Sequence, residues 1–280
     1  MSVTAAQGFR AAGVRAGLKA SGKPDLALVV NDGPLDTAAG VFTTNRVVAA
    51  PVVWSRRLLA GPEGGRAGHA RAVVLNSGSA NACTGAQGMH DTEATAVRAA
   101  GLLGAEPDQV LVCSTGVIGE RIDMPVLLEG VDVAALALAD TPQAGSDAAT
   151  AIMTTDTVSK EDALTVGAGE QSWTIGGMIK GVGMLAPGLA TMLAVITTDA
   201  VLTPQQAQDA LTSATMRTVN RINSDGCMST NDTVVLLASG ASGTTPSQDE
   251  LDEALTEVMS RLGRRLVADA EGATHDIAIT

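Results

Sequence analysis

The sequence predicts an α/β protein, a layered α/β sandwich of mixed sheets with flanking helices. Short apolar runs of strand length alternate along the chain with longer amphipathic segments that begin at helix-capping residues. Gly, Pro, Asp and Asn stand between these segments, as expected for turns that connect strands and helices. No linker and no repeat of fixed period interrupts the pattern, so we expect a single domain over residues 1–280.

The predicted strands are short apolar runs that end at turn residues. They are Leu26–Val30, Gly40–Thr43, Val47–Trp54, Ala72–Leu75, Val110–Cys113, Leu164–Val166, Trp173–Met178, Met192–Ile196, Thr233–Ala238 and Ile277–Ile279. The strands that end at Leu75 and Cys113 run directly into turns of small polar residues. Turns at the carboxyl ends of strands are where α/β proteins form their sites, so we expect functional groups there.

The predicted helices begin at capping residues and carry apolar side chains on one face. They are a helix from a cap at Asp91 to Leu103, short helices at Val131–Leu138 and Ser146–Met153, a helix from the capping box Thr203–Gln206 to about Val219, and a helix capped by Ser247 and Glu250. The last has the clearest apolar stripe: Leu251, Ala254, Leu255, Val258, Met259, Leu262 and Leu266.

Composition and charge limit the classes of function. The 280 residues include 18 Lys and Arg against 30 Asp and Glu, a net charge of −12. An acidic chain repels phosphate backbones, and no Lys/Arg cluster interleaves with aromatic residues, so nucleic-acid binding is not expected. Three widely spaced cysteines and the lack of an apolar export signal favour the reducing cytoplasm. No His, Cys or carboxylate group has the spacing of a metal site.

The most unusual stretch is the uncharged run between Lys180 and Asp199. Its first half holds several residues that bend the backbone into conformations other residues resist. They are Gly181, Gly183, Pro187 and Gly188. The second half, Met192–Ile196, has the pattern of a buried strand. Thr191 lies at the boundary, where a nucleophile would be held rigidly and still be reached by substrate.

Three other interpretations of this stretch compete with that of a nucleophile. The 18 uncharged residues from Gly181 to Thr198 approach the length of a membrane span, but Pro187 and Gly188 at the centre argue against one. The order Gly-x-Gly-x-x-Ala from Gly181 fits a dinucleotide-binding pattern, but Pro187 would break the helix that must follow. A purely structural turn between two strands fits the local composition as well as a nucleophile does.

Thr191 is a poor nucleophile unless a base removes its proton. The chain has only three histidines, and no Ser/His/Asp triad is evident among them. Cleavage of the Ala190–Thr191 bond would solve this, because the new α-amino group of Thr191 would be its own base. An α-amino group titrates at about 7.7–8.0, so a useful neutral fraction exists near neutral pH.

Several motifs taken together resemble the ornithine acetyltransferase (glutamate N-acetyltransferase) family, self-processing N-terminal-threonine enzymes of arginine biosynthesis. They occur in family order over essentially the whole chain. They are Lys180-Gly181-x-Gly183-Met184-x-Ala186-Pro187 with Ala190-Thr191-Met192-Leu193, Ser114-Thr115-Gly116-Val117-Ile118-Gly119, Ile152-Met153-Thr154-Thr155-Asp156-Thr157, Ser229-Thr230-Asn231-Asp232-Thr233 and Glu271-Gly272-Ala273-Thr274.

The resemblance implies roles for individual residues. Thr191 would be the nucleophile and the first residue of a β chain, 191–280, after cleavage from an α chain, 1–190. Thr115 and Gly116 would form the oxyanion hole. The substrate would contact Thr154, Lys180, Thr191 and Glu271. We expect these residues to surround one pocket, with the strand that follows Thr191 at the centre of the fold.

The resemblance also implies an activity. Thr191 would take acetyl from N-acetylornithine and pass it to glutamate, without a cofactor, and acetyl-CoA stays open as a second donor. The assembly would be a heterotetramer of two α and two β chains. Family members continue past the strand that begins near His275, so the resemblance implies that this chain is truncated. Two alternatives remain: an uncleaved or inactive relative that binds an amino acid or a partner subunit, and a sister specificity for amino-terminal peptide bonds.

Overall fold

The computed structural model describes residues 1–61, 67–184, 192–272, 274 and 275. Within these ranges the chain forms nine strands and six α-helices. In chain order they are β1 (Phe9–Val14), β2 (Leu26–Asn31), β3 (Thr37–Phe42), α1 (Ala50–Ala60), β4 (Ala72–Ser79), α2 (Gly85–Leu103), β5 (Val110–Val117), α3 (Met124–Leu136), α4 (Pro142–Ala151), β6 (Lys160–Val166), β7 (Trp173–Lys180), β8 (Leu193–Thr198), α5 (Pro204–Arg217), β9 (Thr233–Ala238) and α6 (Gln248–Ala268).

The strands form two mixed sheets. The first sheet has the order β1-β2-β4-β5, in which only β4 and β5 are parallel. The second sheet has the order β3-β9-β8-β7-β6, in which only β9 and β8 are parallel. The middle strand of the second sheet is therefore β8, the strand that follows Thr191, as the sequence predicts.

The two sheets pack face to face, with helices on the outer sides. Leu193 and Val195 of β8 lie in one apolar core with side chains of the first sheet and of α2 and α3. Ala194 and Ile196, which point the opposite way, pack against α5 and α6. All six residues of β8 are buried, because this strand has a sheet on one face and helices on the other. This arrangement confirms the predicted layered α/β sandwich.

Helix α1 differs from the prediction, because Val47–Trp54 is not a strand. The residues favour a strand by composition, but Pro51 falls in the first turn of a helix, where its missing N–H is not needed. Trp54 and Ser55 then hydrogen-bond the edge of β5: Trp54 Nε1 to the Val110 carbonyl at 3.0 Å and Ser55 Oγ to the Val112 carbonyl at 2.8 Å. The helix thus covers a sheet edge that would otherwise be exposed.

Other predicted element boundaries also differ from the structure. Helix α2 begins at Gly85, so Asp91 is not its cap; the Asp91 carboxylate is buried and pairs with Arg121 at 3.0 Å. Strand β1 was not predicted at all. The predicted strand Ile277–Ile279 lies outside the described residues. Among the helices that the structure describes, none is both long enough and apolar enough to cross a membrane.

Candidate active site

One cavity brings together five of the residues that the sequence analysis selected. Its volume is about 700 Å³, and it opens at the carboxyl ends of β4, β5 and β7. Its walls include Thr115, Gly116, Thr154, Lys180 and Glu271, which lie far apart in the sequence. Ala190 and Thr191, the predicted cleavage site and nucleophile, lie outside the described residues. The functional roles of these seven residues stay predictions.

Thr115 and Lys180 form a buried polar pair in this cavity. Lys180, the last residue of β7, donates from Nζ to Thr115 Oγ1 at 3.1 Å. Because Oγ1 accepts this bond, the hydroxyl proton of Thr115 is free to point into the cavity. Burial lowers the pKa of Lys180 to about 8, although Asp156 and Asp232 act in the opposite direction. At neutral pH most of Lys180 is therefore an ammonium group beside Thr115.

Position 116 requires glycine because the backbones of β5 and β4 approach each other closely there. It stands opposite Gly78 in the parallel pairing of β5 with β4 and has φ of +131°. A Cβ on Gly116 would lie only 2.4 Å from the carbonyl carbon of Gly78. Glycine alone fits both the conformation and the space. The backbone beside Thr115 is thus open to the cavity, with no side chain to cover it.

Asp156 organises the wall that contains Thr154. Its Oδ2 accepts the Thr154 N–H at 3.0 Å, and its Oδ1 accepts the Gly181 N–H at 2.8 Å. Oδ1 also accepts from Lys160 Nζ at 2.8 Å. Burial alone would raise the pKa of the Asp156 carboxyl, but Lys180, Lys160 and the two backbone donors hold it below its ordinary value. Asp156 is therefore an anion that fixes two segments of the cavity wall.

The cavity wall also carries two exposed carboxylates. Glu271 follows α6 and is held by its backbone, which donates to the Val182 carbonyl at 2.9 Å. Asp225 accepts the Met184 N–H at 2.6 Å through Oδ2. Both side chains line the cavity that also contains Lys180. A cation at the buried end and anions at the open end complement the carboxylate and ammonium groups of an amino acid.

The motif Ser229–Thr233 lies just behind the cavity. Asn231 donates from Nδ2 to the carbonyls of Ala80, at 2.6 Å, and Ser114, at 2.8 Å, which ties the second sheet to the end of the first. Asp232 accepts the Met192 N–H at 3.1 Å through Oδ1. Its Oδ2 is buried and has no hydrogen-bond partner among the described residues. Burial raises the pKa of Asp232 to about 8.

Sequence reasoning missed several of these side chains. Asp156 and Asp232 fall inside the motifs that were recognised, but nothing in the sequence shows what they contact. Lys19, another cavity residue, had no signal at all. Its Nζ donates to the carbonyls of Pro24 at 2.8 Å and Met153 at 2.6 Å. Its role is to anchor the segment that leads into Thr154.

Two other kinds of chemistry find little support in the described ranges. No group of three or more His, Cys, Asp or Glu residues there has the geometry to hold a metal ion. Cys113 lies close to Thr115 in sequence, but it is buried, and burial raises its pKa to about 12. A thiol with that pKa is not an activated nucleophile.

Comparison with known proteins gives the chain its relatives. A family model described as the ArgJ family matches residues 10–280. This chain belongs to the ArgJ family. The arginine biosynthesis bifunctional protein ArgJ of Bifidobacterium longum is 58% identical over 100% of this chain and 70% of its own length.

Solved structures agree with this family and extend the likeness of the fold. The ornithine acetyltransferase of Mycobacterium tuberculosis, crystallised with ornithine, is 52% identical and has a TM-score of 0.62. The match covers 68% of this chain and 96% of the solved chain. The L-aminopeptidase D-Ala-esterase/amidase of Ochrobactrum anthropi, described as a variant of the Ntn hydrolase fold, has a TM-score of 0.57 over 98% of this chain and 88% of its own, at 14% identity. This ArgJ homologue therefore has an Ntn-hydrolase-like fold.

Proposed function

We propose that this ArgJ homologue transfers acetyl from N-acetylornithine to glutamate through an acetyl ester on Thr191. The observation that carries the proposal is the buried Lys180–Thr115 pair in a cavity that also contains the carboxylates of Glu271 and Asp225. In this proposal, one cavity would supply both an oxyanion donor and groups that bind the two charges of an amino acid. The ornithine in the structure of the M. tuberculosis relative supports an amino-acid substrate.

In the first half-reaction, Thr191 Oγ attacks the acetyl carbonyl of N-acetylornithine and its proton passes to the α-amino group of Thr191. Negative charge develops on the carbonyl oxygen, where the Thr115 hydroxyl and the Gly116 N–H would stabilise it. Lys180 donates to Thr115 Oγ1 and so orients that hydroxyl. The amide C–N bond then breaks, the proton moves from the α-amino group to the departing nitrogen, and ornithine leaves with acetyl on Thr191.

The second half-reaction reverses the roles of nucleophile and leaving group. The amino group of glutamate attacks the ester carbonyl and loses a proton to the Thr191 α-amino group. The C–Oγ bond breaks, and Oγ regains that proton as N-acetylglutamate leaves. Both substrates carry an α-carboxylate that Lys180 would bind, whereas the cationic side chain of N-acetylornithine would contact Glu271.

The mechanism needs a free amine on Thr191 and therefore cleavage of the Ala190–Thr191 bond. We propose that Oγ of Thr191 attacks the Ala190 carbonyl, that an ester forms by an N-to-O acyl shift, and that water hydrolyses it. The segments 1–190 and 191–280 would then be separate chains of one folded unit. Nearly the whole M. tuberculosis chain, 96% of it, matches 68% of the 280 residues of this chain. That matched length is close to the length of segment 1–190, which supports cleavage after Ala190.

Further parts of the proposal concern donor, assembly and compartment. Acetyl-CoA is a candidate second donor, since acetyl-Thr191 would form from either donor by the same attack. We propose a heterotetramer of two α and two β chains. We also propose a cytoplasmic location, which the three free cysteines Cys83, Cys113 and Cys227 support.

The decisive experiment measures mass and activity on the same sample of full-length protein. Denaturing mass spectrometry should show two chains that meet at Ala190–Thr191, and N-acetylornithine with glutamate should yield N-acetylglutamate. Thr191→Ala should stay a single inactive chain, while Thr191→Ser, which keeps the hydroxyl, should cleave. Active protein with an intact Ala190–Thr191 bond would refute the mechanism. Binding of ornithine without transfer would favour the inactive-relative alternative.

The oxyanion role of Thr115 has its own test. Thr115→Ala removes the hydroxyl that Lys180 orients and should lower kcat by roughly 10²–10³. Thr115→Ser keeps the hydroxyl and is the matched control, with activity close to that of the unchanged protein. Equal rates for Thr115→Ala and Thr115→Ser would show that the hydroxyl stabilises no charge in the transition state.

A further inference from the structure

Three buried charged side chains form an ion cluster beneath the cavity. We call Asp156, Lys160 and Asp269 the buried ion cluster. Lys160 Nζ binds Asp156 Oδ1 at 2.8 Å and also binds Asp269 Oδ2. The side chains of Asp156 and Lys160 are 0% exposed and that of Asp269 is 6% exposed. The three residues come from different places: the loop after α4, the start of β6 and the residue after α6.

The cluster connects separate parts of the cavity wall. Asp156 accepts the N–H groups of Thr154 and Gly181, and Gly181 directly follows Lys180. Asp269 accepts both the N–H and the hydroxyl of Thr157, which fixes the end of α6 on the loop that carries Thr154. Two residues after Asp269, Glu271 reaches the cavity. The position of Glu271 relative to Thr154 thus depends on Asp269 and its bonds to Thr157 and Lys160.

Stability alone does not explain such a cluster. Replacing a buried ion pair by apolar residues of similar volume is often neutral or stabilising, because two charges must be removed from water. Ionic groups do have directional bonds, and here each carboxylate divides its bonds between Lys160 and backbone N–H groups. The cluster therefore fixes distances that an apolar contact would leave loose.

We infer that Asp156, Lys160 and Asp269 are positioning residues that hold Thr154, Lys180 and Glu271 in place around the substrate. The inference rests on the proposed function, because it assigns these walls to amino-acid binding. None of the three need touch substrate. They act through the segments that they hold.

The two carboxylates have different secondary effects. Four charged groups surround Lys180: Asp156, Lys160, Asp232 and Lys19. Among them, Asp156 does most to raise the pKa of Lys180 against the effect of burial. Loss of the Asp156 charge should lower that pKa, so the ammonium form of Lys180 would disappear at a lower pH. Loss of the Asp269 charge should leave the pKa of Lys180 nearly unchanged. This difference separates the two residues experimentally.

The test compares Asp156→Asn and Asp269→Asn in the full-length protein, after mass spectrometry has shown that processing is complete. Each variant leaves Lys160 one carboxylate partner, so both should fold. Both should lower kcat/KM for N-acetylornithine and glutamate by up to about 10²-fold, mainly through a higher KM, since a misplacement of 1 Å can cost that much. Only Asp156→Asn should move the alkaline limit of kcat/KM below pH 8.

Two controls separate positioning from loss of stability. Val131→Ala in α3 removes buried apolar volume at a residue that does not line the cavity, and Asp132→Asn breaks the surface pair with Arg98. Neither control should change KM or the alkaline limit of kcat/KM, even where it lowers the unfolding free energy as much as a cluster variant does. The inference is overturned if the cluster variants behave like these controls.

If the unchanged protein transfers no acetyl, the proposed function fails by itself. Calorimetric ornithine binding then tests the cluster: weaker binding by the two cluster variants than by the controls supports the inference, and equal binding overturns it.

Discussion

Asp232 makes a quantitative prediction about stability and pH. Its carboxyl is buried, Oδ1 accepts the Met192 N–H, and Oδ2 has no described partner. Burial raises its pKa from 3.8 to about 8, so between these values the folded state keeps a proton that the unfolded state has lost. The unfolding free energy must then fall as pH rises through this window.

The magnitude follows from one proton per molecule. A single group of this kind contributes a slope of at most about 1.4 kcal/mol per pH unit. Asp232→Asn keeps an oxygen for the Met192 N–H and cannot ionise. Relative to the variant, the unchanged protein should therefore lose up to about 4 kcal/mol between pH 5 and pH 8. Asp232→Asn should be the more stable protein at pH 8.

Denaturant unfolding at pH 5, 6, 7 and 8 measures this difference directly. All proteins should carry Thr191→Ala, so that processing does not differ among them. Asp209→Asn, an exposed carboxylate on α5, is the control and should follow the parent at every pH. If the curves of Asp232→Asn and the parent run parallel, Asp232 is ionised in the folded protein and the reasoning from burial is wrong.

Three further predictions concern the frame around the site. Gly116→Ala should lower the unfolding free energy by roughly 1–3 kcal/mol through its clash with Gly78, whereas Gly119→Ala, whose Cβ would meet nothing within 4 Å, should cost less. Leu193→Asp should give no cooperatively folded protein by circular dichroism, because an unpaired carboxylate would enter the core, while Leu193→Met should fold. Trp54→Phe should lower the unfolding free energy by about 1–3 kcal/mol, since the buried Val110 carbonyl loses its donor.

The parts of the fold that the sequence predicts are those with a strong local pattern. The apolar run at β8 and the capping box at Ser247 needed no knowledge of distant contacts. The strand prediction at helix α1 is wrong because Val52, Val53 and Trp54 favour a strand locally. A helix packs better there only because it covers the edge of β5. Sheet order could not be predicted either, since it depends on which strands meet across long separations.

The candidate site, too, is only partly predictable from the sequence. Thr115, Lys180 and Glu271 were found because they belong to recognisable motifs, and the cavity brings them together. Lys19 lies in that cavity without any motif, since its contacts are backbone carbonyls that any sequence supplies. The partners of Asp156 come from residues 4 and 25 positions away as well as from the adjacent loop. Such partners become visible only once the strands have been arranged.

The pairing of β7 with β8 has a consequence for how the two proposed chains would behave in solution. Residues 175–180 pair with residues 193–198 along their whole length, and β8 is enclosed by neighbours on both sides. A peptide-bond break between the two strands would leave every one of these backbone bonds in place. Separating the pieces would require opening the central sheet and both apolar cores, which amounts to unfolding. The fragments should therefore stay together on dilution, and the melting temperature of the cleaved protein should rise with protein concentration, because its unfolding separates two chains.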